Sequence, residues 1–275
     1  MAVRPDNNLF SFIENNLPRR CRIAIGVNDD RTFSMLEGID EIIEPVFVTG
    51  SKVKLKNVGG KVIVSDKPEQ ELVDLLMNDE VDAAIRGSLP ASSTLSYLKR
   101  RSGITNLARV ALLKPVDLDP FLFAPVGIDE GDNFEDRLRL IENGIRILEN
   151  FGMKARIGIL SGGRLGDTGR SARVDRSLEE GKALVDVVSQ MGYPVHHHEI
   201  LIEDAVRESN LIIAPDGISG NLIFRTLTFL GRGSAWGAAV HHELGKTFVD
   251  TSRAGGSYSG SVKFAAVLSR RFGVV

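Results

Sequence analysis

Short apolar runs recur along the chain at 22–27, 46–48, 61–64, 83–85, 108–113, 121–124, 156–160, 211–214, 236–240 and 247–249, separated by longer segments of helical period. Strand-length runs alternating with helical patterns are the signature of βα units. Several of the runs are apolar at consecutive positions, which fits strands covered by helices on both faces, as in a parallel sheet. The expected fold class is α/β. The clearest helix is predicted over 134–151: Asp132 and Glu135 form a capping-box pattern, Phe134, Leu138, Ile141, Ile145 and Leu148 share a face, and Gly152 suits a left-handed terminus. No tandem repeat, low-complexity tract or Pro/Ser-rich linker marks a boundary. The glycine-flanked stretch Gly127-Ile128-Asp129-Glu130-Gly131 is the candidate hinge between two α/β halves.

Composition narrows the partners. The 275 residues carry 34 basic and 36 acidic side chains, a formal net charge of -2, so no basic excess points to nucleic acid. The longest apolar runs, such as 110–113 and 211–214, fall far short of the roughly 20 residues that span a bilayer. A membrane partner is not expected. Cys21 is the one cysteine, which rules out an internal disulfide, and the first residues lack the apolar core of a signal peptide. A cytoplasmic protein is expected. With 28 glycines against 6% aromatic residues, the informative question is where the glycines gather.

They gather in three polar segments that each follow a predicted strand and precede a helix. The first is Ser161-Gly162-Gly163-Arg164-Leu165-Gly166-Asp167-Thr168-Gly169-Arg170-Ser171. Glycines admit a ligand to backbone N–H groups, hydroxyls add donors, arginines add charge, and a following helix N-terminus favours anions. The second is Pro215-Asp216-Gly217-Ile218-Ser219-Gly220-Asn221. Ligands of open α/β sheets sit outside the carboxyl ends of strands, although Asp216 and Ser219 also suit an Asx turn that merely caps a helix. The third is Thr251-Ser252-Arg253-Ala254-Gly255-Gly256-Ser257-Tyr258-Ser259-Gly260, and Arg86, at the end of the 83–85 run, adds a fourth wall.

Other motifs fail. Gly245-Lys246-Thr247 lacks the leading glycine of a phosphate loop, since Val240 occupies that position. Gly231-Arg232-Gly233 has Trp236 where a dinucleotide fingerprint needs glycine, and no serine is centred in a nucleophile elbow. The five histidines fall in His196-His197-His198 and His241-His242. In a strand His196 and His198 share a face while His197 points away, a spacing that holds a metal only if a carboxylate joins it. No metal site is assigned from the sequence.

Leu160-Ser161 with Thr168-Gly169-Arg170-Ser171, then Pro215 to Asn221, then Val249-Asp250-Thr251-Ser252-Arg253, resemble the three signature regions of the phosphate acetyl/butyryl transferases. Val81-Asp82-Ala83-Ala84-Ile85-Arg86-Gly87, followed by Ser93-Thr94, is similar to the family's segment before its interdomain helix. More narrowly, the chain resembles a branch from methanogenic archaea called methanogenesis marker protein 4 or methyltransferase subunit X. The resemblance implies an isocitrate/isopropylmalate dehydrogenase-like architecture of two α/β/α subdomains with a central cleft, here 1–128 plus 244–275 and 129–243. It also implies a homodimer. In the family the cleft takes an acyl phosphate or phosphate opposite the thiol of coenzyme A, and a Ser-Arg pair assists transfer; Ser252 and Arg253 match that pair. Where the family carries an Asp about six residues beyond the Arg, this chain has Tyr258-Ser259. The segment Glu199 to Ala205 is similar to a family Gly-Glu-x-Gln-x-Asp-Ala pattern, but Leu201 replaces its Gln and His198 its Gly.

The reading that results is a transferase-like protein of methanogens, tied to methyl or one-carbon metabolism, that binds a small anionic, phosphate-bearing substrate or cofactor. Arg86, Arg164, Arg170 and Arg253 supply charge. Ser161, Gly162, Gly163, Thr168, Gly169, Ser171, Ser219, Gly220 and Asn221 supply donors and backbone access. Ser252, Arg253 and Asp216 are the candidate catalytic residues, with Asp204 the alternative base to Asp216, and a methanogenesis enzyme is a further expected partner. The alternatives are an acyl-phosphate transferase with a substitute base, and a non-catalytic binding or assembly factor. No motif identifies S-adenosylmethionine or a corrinoid.

Overall fold

The computed structural model describes residues 8–18, 20–29, 32, 36, 39–50, 59–252 and 257–272. A short helix, α1 (Leu9–Asn15), opens the described chain. The fold divides into two compact units, one built from 1–10 and 108–234, the other from 11–107 and 235–275. The changeovers expected from the sequence lay near 128 and 243.

The unit of 11–107 and 235–275 carries β1 (Arg22–Val27), β2 (Glu44–Thr49), β3 (Lys61–Val64), β4 (Ala83–Ile85), β10 (Ser234–Ala239) and β11 (Thr247–Asp250) in the order β3-β2-β1-β4-β11-β10. The four pairings among β3, β2, β1, β4 and β11 are parallel, with Ile23 beside Pro45 and Ala83, and Thr247 beside Ala83. Five consecutive residues of β1 and of β2 are buried, which explains their unbroken apolar runs. Helices α2 (Pro68–Met77) and α3 (Ala91–Ser102) close a core in which Leu72, Val73, Leu76 and Leu98 pack with Ala24, Val46, Val48 and Phe248. Lys99, Arg100 and Arg101 lie in the last turn of α3, complementing its dipole, and Gly103 ends it at φ 76°. The last helix of the chain runs Ser259–Phe272. Cys21 is buried here, and burial pushes its thiol up to about 11, so it is not a thiolate nucleophile at neutral pH.

The other unit orders β5 (Val110–Lys114), β6 (Phe121–Ala124), β7 (Ile157–Leu160), β8 (Val195–Glu199) and β9 (Leu211–Ile213) as β5-β6-β9-β7-β8. Strands β6, β9, β7 and β8 are parallel, so their carboxyl ends share one edge. Four helices follow them: α4 (Phe134–Asn150), α5 (Ala172–Gln190), α6 (Ile202–Glu208) and α7 (Gly217–Arg225). That leaves the helix at Ser259–Phe272 as α8. Among the described residues no helix is long and apolar enough to cross a membrane.

Several expectations change. Pairs β5–β6 and β10–β11 are antiparallel, because connectors at 115–120 and 240–246 are too short to hold a crossover helix. Helix α4 is capped by Asn133, whose side chain accepts from the Asp136 N–H, and not by Asp132. Its fully buried face is carried by Arg137, Leu140, Ile141, Gly144 and Leu148, while Phe134 and Leu138 are half-buried. Gly152 is left-handed as expected, at φ 67°.

Candidate functional site

The carboxyl edge of the 108–234 sheet collects the first two polar segments. Ser161 leaves β7 buried, and its Oγ lies 2.9 Å from the Ser177 carbonyl and 2.7 Å from His197 Nε2. A hydroxyl has one proton, and the carbonyl can only accept, so the His197 ring donates from Nε2 to Ser161 Oγ. An imidazole protonated at that nitrogen is not a base for Ser161. The pair therefore ties β7, β8 and α5 together. Gly181 of α5 sits over it, and a Cβ there would fall on Ser161 Oγ and within 2.7 Å of His197 Nε2. Burial lowers the His197 pKa against the opposing pull of Glu199, and burial, then the neighbouring His196, lowers that of His198.

The glycine-rich segment turns its donors inward. Gly162 N–H donates to Ser177 Oγ (2.9 Å), Arg164 N–H to Asp167 Oδ2 (2.9 Å), Leu165 N–H to Glu199 Oε2 (2.9 Å) and Gly169 N–H to Asp175 Oδ1 (2.8 Å). Thr168 Oγ1 donates to the Leu165 carbonyl, Gly163 is buried beside Val174, and Ser171 caps α5 by accepting from the Arg173 N–H. The Arg164 N–H, and then the Arg170 guanidinium, which donates at 2.5 Å, hold the Asp167 carboxyl below its usual range. What projects from the segment is cationic: Arg164, Arg170, Arg173 and Arg176 are all exposed around the start of α5.

The second segment is not a loop. Asp216 is the N-cap of α7, accepting from the Ser219 N–H at Oδ1 (2.7 Å) and from Ser219 Oγ at Oδ2 (3.1 Å), so Ser219, Gly220 and Asn221 belong to the helix. The glycines allow this helix to touch backbone. A Cβ on Gly217 would strike the Gly127 and Glu130 carbonyls, and one on Gly220 the Pro125 carbonyl. Asn221 Nδ2 adds a bond to the Val126 carbonyl (2.7 Å). Arg173 Nη2 lies 3.8 Å from Asp216 Oδ2, linking the segments after β7 and β9. Of the named residues, Ser161, Asp216 and the Arg164–Ser171 segment thus share one strand edge. Arg173, His197 and Glu199 were missed as members. Arg173 was legible as the second residue of a capped helix, and Glu199 as the polar end of a strand.

In the other unit Arg86 is 4% exposed. Its Nε donates to Asp250 Oδ1 and its Nη1 to the Leu89 carbonyl, both at 2.5 Å. Thr251 Oγ1 donates to the Gly87 carbonyl, and Ser88 Oγ pairs with Thr32 Oγ1 and accepts from Asn28 N–H. Gly87, at φ 59°, leaves no room for a Cβ against the Gly26 carbonyl. Ser252 is half-buried and its carbonyl accepts from the Tyr258 hydroxyl at 3.5 Å, Tyr258 itself being 2% exposed. Arg253 lies outside the described residues.

No protein-family model matches the chain. It is 45% identical over 256 residues, 91% of its length and 94% of the relative's, to a protein of Methanosarcina barkeri named "Putative methyltransferase mtx subunit X". It is 46% identical over 255 residues, 91% of each chain, to the Methanosarcina mazei protein of the same name. In fold it is similar to a branched-chain phosphotransacylase from Enterococcus faecalis, with a TM-score of 0.76 at 14% identity, covering 91% of this chain and 99% of the other.

Proposed function

The chain belongs to the methyltransferase mtx subunit X family of methanogens, and on that premise we propose that it is a group-transfer protein of methanogenesis that takes a small anionic, phosphate-bearing ligand. The observation that carries this reading is the joining of the segments after β7 and β9 by Arg173 and Asp216, with Arg164 and Arg170 exposed on the same edge. Recognition then comes from guanidinium side chains and the α5 N-terminus, because the backbone donors already serve protein carboxylates and Ser177. Asp216 positions Ser219 and Arg173, and Ser252 with Arg253 is assigned the transfer step. Phosphate or a coenzyme A-like anion is the proposed ligand class. The isocitrate/isopropylmalate dehydrogenase-like arrangement, a cytoplasmic homodimer and a methanogenesis enzyme as partner belong to the same proposal; the word subunit in the relatives' name supports the last.

A thermal-shift panel across phosphate, acetyl phosphate, coenzyme A and coenzyme M tests it. Phosphate-bearing ligands at a hundred times their Kd are expected to stabilise the chain by about 2.7 kcal/mol. An unmoved transition with every anion contradicts the reading. A second reading, a non-catalytic assembly factor, is favoured by Tyr258-Ser259, with Tyr258 buried, standing where the phosphate acetyl/butyryl transferases are expected to carry an Asp. Anion binding with no methyl or acyl transfer to any thiol, together with a stable partner in pull-down, selects that reading. Coenzyme A acylation abolished by Arg253→Ala selects an acyltransferase.

A further inference from the structure

The face of β8 opposite His197 holds a group of side chains that the proposed transfer does not use. His196 and His198 project to one side, with ring centroids 4.6 Å apart. Glu208, the last residue of α6, joins them, and one ligand atom from each of the three lies within 4.8 Å of the others. We propose that His196, His198 and Glu208 bind a divalent transition ion of the zinc class. Two imidazoles and one carboxylate are the donor set of open zinc sites, in which a water or a substrate atom completes the coordination.

Three features of the backbone bring the donors together. The β7–β8 register shifts after Ile159: His197 pairs with Ile159 and Glu199 with Leu160, so His198 is the extra residue of a bulge, a device that re-aims side chains. Gly158 of β7 makes room for the His198 ring, since a Cβ there would lie 3.0 Å from His198 Cδ2 and 2.7 Å from Ser209 Oγ. Ser209 Oγ lies 3.3 Å from His198 Nε2, a partner of the kind that fixes a ligand imidazole. A tetrahedral ion with bonds of about 2.0–2.1 Å separates its ligand atoms by about 3.4 Å. Closing from 4.8 Å asks only a small swing of His196 and Glu208, which are both exposed, toward the buried His198.

The test uses the full chain without a histidine tag, stripped by a chelator and titrated calorimetrically with zinc, with cobalt absorption as a second probe of coordination. One equivalent of zinc is expected to bind. His196→Ala and Glu208→Gln, both at exposed positions, are expected to weaken binding by more than the roughly 10–100-fold that loss of an outer partner costs. His242→Gln, in the separate His241-His242 pair, is expected to leave the titration unchanged. Absence of saturable zinc binding, or binding untouched by His196→Ala and Glu208→Gln, overturns the proposal. His198→Ala is the less informative variant, because its ring is part of the packing beside Gly158.

Discussion

Arg86→Met is expected to destabilise the chain by about 3 kcal/mol, the lower part of the range for removing one member of a buried ion pair. The substitution keeps the bulk of the side chain and removes its charge. Asp250 loses the Nε donor at 2.5 Å, and the Leu89 carbonyl loses its bond from Nη1. The two residues lie at the ends of adjacent parallel strands, β4 and β11, where Thr251 also reaches the Gly87 carbonyl. Denaturant unfolding of the wild type and the variant, at equal m-values, reads the effect directly. Stability within about 0.5 kcal/mol of the wild type, the usual range for surface substitutions, together with lost anion binding, would make Arg86 a ligand-binding side chain and not a brace.

Gly220→Val is the second large effect. A Cβ there already falls on the Pro125 carbonyl and presses on Ala214 Cβ at 3.3 Å, so the two further methyl groups of valine have no space. Neither a backbone oxygen nor a strand end can step aside, so α7 must shift and take the Asp216 cap and its Arg173 pairing with it. Overpacking of this kind costs about 3 kcal/mol or more where backbone is the obstacle. Gly162→Ala is the matched control from the other segment: its Cβ would meet nothing closer than Ser177 Oγ at 3.4 Å. It is expected to change stability by less than about 1 kcal/mol. If thermal melts rank the two variants the other way, the packing role of α7 is wrong.

These two positions show what the sequence carried and what it did not. Consecutive apolar residues made β1, β4, β6 and β7 legible within a residue, because strands buried on both faces have no other composition available. Strand β8 has no such run: its three histidines sit at the end of the strand order, where only His198 of the five strand residues is buried. Gly217, Ser219 and Gly220 have loop composition, yet they open a helix: the glycines admit the 125–130 backbone against it and Ser219 completes the Asp216 cap. Arginine positions were legible as charge, but not their partners. Arg86 faces a buried Asp250 on a strand distant in sequence, which only long-range geometry separates from a side chain left for a ligand, whereas Arg170 meets Asp167 within its own exposed turn.

The proposed anion site stands on the exposed arginines at the start of α5. Isothermal titration of inorganic phosphate and acetyl phosphate into the wild type and an Arg170→Gln, Arg173→Gln double variant tests this site. Charge-assisted bonds contribute about 1.5–3 kcal/mol each, so the double variant is predicted to bind at least about tenfold more weakly. Its unliganded melting temperature should stay at the wild-type value, since the two side chains are 76% and 85% exposed. Equal affinities, or no saturable binding to the wild type, would exclude an anion site at these arginines.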